Sequence, residues 1–203
     1  MSPGLRVGGL CIDSVPGHLP DADKLKFLQW VHTGIPRVGS FLTHLRLILP
    51  TNFPLDVLAD ILSGLPSLTE LKMRSNKRVF RYGIVPPLSG RTPQTDAFPP
   101  RLRALDISLL CGTSFFFQWL LSHADPPLLT SLSIAAYGPE SDAHEDSTPL
   151  EAYLCRFGLQ IRTLSLAYRL VQGVFDDWRL ADTRAFHARI IPYAPRLVNQ
   201  MLF

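Results

Sequence analysis

The chain has 203 residues, of which 46% are hydrophobic and 18% charged, enough apolar material for a buried core and consistent with one folded domain over residues 1–203. Its formal net charge of +3 is too small to hold a nucleic-acid backbone by electrostatics alone, so charge by itself names no partner.

In chain order, a pattern of the form apolar-x-x-Leu-x-apolar recurs. The copies are Val7-Leu10-Ile12, Leu42-Leu45-Leu47, Leu68-Leu71-Met73, Leu102-Leu105-Ile107, Leu129-Leu132-Ile134 and Ile161-Leu164-Leu166, with a degraded seventh at Leu197-Gln200-Leu202. The central leucines stand at 10, 45, 71, 105, 132 and 164, so the steps are 35, 26, 34, 27 and 32 residues. Four copies carry a proline two residues ahead of the first apolar position: Pro66, Pro100, Pro127 and Pro195. Proline's fixed φ and missing donor suit a chain that leaves a helix and turns into a strand. Within each copy apolar and polar residues alternate, which predicts a short strand with one buried and one solvated face.

Helical stretches fill the intervals. Asp23 caps a predicted helix from Lys24 to Val31; Pro54 opens one with the stripe Leu55, Leu58, Ile61, Leu62 and Leu65. Ser114 precedes a third from Phe115 to Leu121, and Ser147 or Thr148 with Pro149 announces a fourth bearing Leu150, Tyr153, Leu154 and Phe157. Asp176 and Asp177 read as a cap ahead of Trp178. Strand and helix alternating at a repeated spacing predict an α/β solenoid with a parallel sheet on its concave face and helices on the convex one.

Leu68-x-x-Leu71-x-Met73-x-x-Asn76 fits the leucine-rich-repeat signature L-x-x-L-x-L-x-x-N, and the other copies fit its first six positions. Irregular repeats with segments such as Pro99-Pro100-Arg101-Leu102-Arg103-Ala104-Leu105-Asp106-Ile107-Ser108 resemble the repeat region of fungal F-box proteins. The resemblance implies a repeat surface that selects a protein for a cullin-type ubiquitin ligase. The F-box module that would engage the ligase is not visible, because the first copy already begins near Val7.

Parity assigns the concave, partner-binding face to His44 and Arg46; Glu70, Lys72 and Arg74; Ala104, Asp106 and Ser108; Ser131 and Ser133; and Thr163 and Ser165. A long loop over about residues 74–98 interrupts the pattern. From Lys72 to Arg91 it is basic without an acidic residue, and Lys77, Arg78 and Arg81 there alternate with Phe80 and Tyr82. Cations interleaved with aromatics can hold phosphates and stack bases, so nucleic-acid binding through residues 72–91 is the alternative function. The acidic run Glu140, Asp142, Glu145, Asp146 and Glu151 opposes this loop in sign.

Catalytic patterns are missing: no Gly-x-Ser-x-Gly, no phosphate-cradling Gly-x-x-x-x-Gly-Lys and no His-Glu-x-x-His. His144-Glu145-Asp146 are consecutive in a polar loop, which seldom converges on one metal ion, and His123 is placed to interact with the last carbonyls of a helix. Cys11, Cys111 and Cys155 are widely spaced and read as reduced, buried thiols. The start Met1-Ser2-Pro3-Gly4 lacks a signal-peptide pattern, and the apolar patch from Phe115 to Leu121 is too short to span a bilayer. The expectation is a protein-binding scaffold that is not an enzyme, takes no metal or cofactor, does not enter a membrane and works in the cytoplasm or nucleus. An unrecognised hydrolase is a third reading.

Overall fold

The computed structural model describes residues 8–13, 33–35, 39–49, 53–75, 84–85, 98–109, 113–137 and 148–169. Among the described residues six parallel strands form one open sheet: β1 (Gly9–Asp13), β2 (His44–Leu49), β4 (Glu70–Ser75), β6 (Ala104–Leu109), β7 (Ser131–Tyr137) and β8 (Thr163–Arg169). Their order across the sheet is their order in the chain, so each new strand is added to the same edge. Two short strands, β3 (Phe53–Pro54) and β5 (Ile84–Val85), pair in parallel as a second, two-stranded sheet. Helices α1 (Leu55–Ser63), α2 (Thr113–Ser122) and α3 (Thr148–Phe157) complete the mixed α/β architecture.

The register follows the sequence pattern. Leu10, Leu45, Leu71, Leu105, Leu132 and Leu164 are successive partners across the sheet, so the six marker leucines form a single row. The next inward row runs through Leu47, Met73, Ile107 and Ile134, all of them buried. The first apolar position of the second to sixth copies (Leu42, Leu68, Leu102, Leu129 and Ile161) is also buried, two residues before its strand. Burying such side chains contributes roughly 1.5–3 kcal/mol each, which makes these rows the main fold determinant.

The entry to four of the strands repeats too, β7 differing in that Leu129 donates to Pro127. Leu42 donates its N–H to Gly39, Leu68 to Leu65, Leu102 to Pro99 and Ile161 to Gly158, which closes a tight turn each time. The next carbonyl site is shared: Gly8, Thr43, Thr69, Arg103 and Thr130 each accept two successive N–H groups from the neighbouring strand's start. Thr43 and Thr69 add their hydroxyls, donating to the carbonyls of Gly8 at 2.7 Å and Thr43 at 2.9 Å. At the first of these turns the backbone of Gly39 lies against the Gly64 carbonyl and leaves no room for a side chain.

Helices α1 to α3 pack on the leucine side and join the strands in one core. For α1, Pro54 stands at the N-cap with φ −67° and ψ 137°, Asp56 accepts the Val57 N–H at 3.1 Å, and Leu55, Leu58, Ile61 and Leu62 are buried with Leu65 beyond the end. That stripe is the one the sequence predicts. In α3 the buried residues are Leu150, Tyr153, Leu154 and Phe157, again as predicted. Helix α2 starts at Thr113, which places Ser114 inside the first turn and not ahead of it.

An aromatic run links α2 and α3: Phe98 with Trp119, Phe116 with Trp119 and with Phe117, Phe117 with Tyr153, and Tyr153 with Phe157, at centroid distances of 5.0–6.0 Å. The buried Tyr153 hydroxyl donates to the Pro127 carbonyl at 2.8 Å and so ties α3 to the turn before β7. Burial pushes this phenol well above its ordinary range, with a smaller opposing pull from the Leu129 backbone. The folded state therefore keeps a proton that an unfolded tyrosine releases near pH ~10, and stability is lost as pH rises beyond that value, at up to about 1.4 kcal/mol per pH unit. Tyr153→Phe should cost about 1 kcal/mol at neutral pH, from the lost hydrogen bond. It should also flatten the alkaline decline; urea midpoints of both proteins near neutral pH and above pH ~10 measure this, and parallel declines would refute the assignment.

Of the sequence expectations, the helix from Lys24 to Val31, the cap at Asp176 and Asp177, the seventh copy at Leu197 to Leu202, Cys111, and His144 to Asp146 lie outside the described residues. Within the stretch read as a loop over 74–98, Arg74 and Ser75 finish β4, Ile84 and Val85 form β5, and Ile84 is buried. The reading of the cysteines as buried fails for Cys11 and Cys155, which are both free and exposed. Cys11 alternates with the inward Leu10 on β1, and Cys155 follows the buried pair Tyr153-Leu154 onto the outer side of α3.

Candidate partner-binding face

The side of the sheet opposite the helices carries three rows of side chains, set by the same register. The first holds Gly9, His44, Glu70, Ala104, Ser131 and Thr163; the second Cys11, Arg46, Lys72, Asp106, Ser133 and Ser165; the third includes Ile48, Arg74, Ser108 and Ala135. All twelve residues that parity assigned to a partner face are brought together here, exposed or half-buried. Cys11, Ile48 and Ala135 share the face and were not singled out. Parity alone would have found them, since each alternates with a leucine or isoleucine of the core row.

Among the described side chains the face divides into a charged half and an uncharged half. On β2, β4 and β6, Glu70 is the hub: one carboxylate oxygen meets Lys72 Nζ on its own strand, and the other lies 3.5 Å from His44 Nε2 on the neighbouring strand. Arg74 reaches Asp106 across the next strand pair at 3.6 Å. The Thr43 hydroxyl donates to Gly8, so the 2.8 Å contact between Thr43 Oγ1 and His44 Nδ1 is made with the hydrogen on the imidazole nitrogen. These pairs are 24–59% exposed, where an ion pair contributes between nothing and about 1 kcal/mol. Their effect is to fix side-chain positions and charge, not to hold the fold.

Arg46 differs from its neighbours. It is exposed, and no ion pair holds it among the described residues. Its register partner on β4 is Lys72, so two cations sit directly opposite each other, an arrangement that disfavours the sheet slightly. On β7 and β8 the same rows carry only Ser131, Ser133, Ala135, Thr163 and Ser165 as described side chains. They offer hydroxyls and little bulk.

Elsewhere the structure offers less chemistry. His123 Nδ1 lies 2.9 Å from the Trp119 carbonyl, the helix-end contact that the sequence predicts. Among the described residues no three His, Cys, Asp or Glu side chains gather as a metal site, and no helix is long and apolar enough to cross a membrane. Of the basic loop, Lys77, Arg78, Phe80, Arg81 and Tyr82 lie outside the described residues. Comparison with models of known protein families, with curated proteins and with solved structures returned no match.

Proposed function

We propose that the chain is a protein-binding scaffold of leucine-rich-repeat type, an α/β solenoid whose sheet surface opposite the described helices is the concave binding face. The observation that carries this reading is the in-register row of leucines from Leu10 to Leu164, which recurs at the spacing found in the sequence. One wall of repeated strands with a polar outer surface presents side chains at fixed intervals, which is a surface suited to reading a protein. Its most specific form is the substrate-recognition part of a ubiquitin-ligase-type receptor, working in the cytoplasm or nucleus without a cofactor.

A photo-cross-linking amino acid at position 133, compared with one at the exposed position 118 on the helix side, tests this. A defined protein should cross-link from 133 and not from 118. Its affinity should then fall at least about tenfold, or about 1.4 kcal/mol, when Arg46, Lys72, Arg74 and Asp106 are all changed to alanine. Equal cross-linking from both positions would remove the face from the proposal.

A further inference from the structure

Resting on the reading of this sheet as a protein-binding face, we propose that its preferred partner is an extended acidic peptide segment, with a carboxylate seated between Arg46 and Lys72. Three observations support this. Arg46, Lys72 and Arg74 outnumber Glu70 and Asp106 on the charged half, and both carboxylates are already engaged, by Lys72 and His44 in one case and Arg74 in the other. The surplus cation is Arg46, which faces Lys72 in register, so an incoming carboxylate gains two charge-assisted contacts and relieves a like-charge pair at once. Lys72 already has Glu70 beside it on its own strand, whereas no ion pair engages Arg46 among the described residues, so Arg46 is the member of the pair left to hold an incoming carboxylate.

The rest of the face sets the partner's shape. Strands lie about 4.8 Å apart, so the four steps from β2 to β8 cover roughly 19 Å, the length of about six extended residues. Over β7 and β8 that chain meets Ser131, Ser133, Thr163 and Ser165, whose hydroxyls can donate to and accept from a peptide backbone while leaving room for its side chains. The segment fitted to this face is therefore acidic at one end and uncharged at the other. Arg46 is planar and bidentate in its hydrogen bonding, which favours a carboxylate over a diffuse negative charge.

Panning a phage-displayed random dodecapeptide library on the immobilised full chain tests the inference. Enriched peptides should be rich in Asp and Glu, and synthetic copies should bind at least about tenfold more weakly to Arg46→Glu and several-fold more weakly to Arg46→Gln, with thermal melting of both variants unchanged. Acidic peptides that bind Arg46→Glu as well as the parent chain would overturn it. Peptides without acidic bias that are lost on the double variant Ser133→Arg, Ser165→Arg would also overturn it, while leaving the protein-binding face in place. Enrichment of nothing, or of peptides indifferent to all these variants, would overturn both.

Discussion

Trp119→Ala should lower the unfolding free energy by about 3–5 kcal/mol, among the largest effects of any single truncation in this chain. The indole is 1% exposed and is enclosed by Phe98 at 5.0 Å, His123 at 5.1 Å and Phe116 at 5.7 Å between ring centroids. Removing it leaves a cavity that Phe116 on α2, His123 just after that helix and Phe98 before β6 can close only by moving inward from their packed positions. The cost is not purely apolar. Trp119 Nε1 is buried and has no hydrogen-bond partner among the described residues, so the native side chain carries a desolvation penalty of about 1–3 kcal/mol. Trp119→Phe removes that penalty and keeps an aromatic ring against Phe98 and Phe116, so it should cost far less, no more than about 1.5 kcal/mol. Urea unfolding followed by far-UV circular dichroism compares the two without relying on the lost fluorophore. Equal destabilisation by both would show that indole volume alone matters and that the orphaned N–H does not.

The contrast between α2 and its neighbours explains which parts of the fold could be read in advance. Helices α1 and α3 alternate buried and exposed residues at helical spacing, and each has a proline at its start, so Leu55 to Leu65 and Leu150 to Phe157 were legible as stripes. Helix α2 is apolar nearly all round: Phe116, Phe117, Trp119 and Leu120 are buried while Phe115 is 39% exposed, so its period names no face. The strands were legible because alternation with period 2 fixes which side chains face the core. It also placed His44, Arg46, Lys72 and Ser133 on a common surface before any register was known. What alternation does not contain is the pairing across strands. That Glu70 joins His44 and Lys72, that Arg74 reaches diagonally to Asp106, and that Arg46 is left over depend on register and rotamer. The small β3–β5 sheet escaped for another reason, since two residues have no period to detect.

Leu105→Ala should cost about 2–5 kcal/mol, and the comparison with Leu10→Ala tests how the domain is assembled. Leu105 is 1% exposed at the centre of the leucine row, with Leu71 on one side and Leu132 on the other. Leu10 begins the same row but is only partly buried, so its truncation should cost roughly 1 kcal/mol. In a stack of units that contact only their neighbours, a weak central unit also uncouples the halves on either side of it. Leu105→Ala should then broaden the urea transition and lower its m-value, whereas Leu10→Ala shifts the midpoint alone. The same uncoupling would loosen the register of β6 against β4, and with it the reach of Arg74 to Asp106 on the outer face. A sharp, unbroadened transition in Leu105→Ala, or equal losses at the two positions, would mean that the core behaves as one indivisible unit and that the repeated architecture proposed for the binding face is wrong.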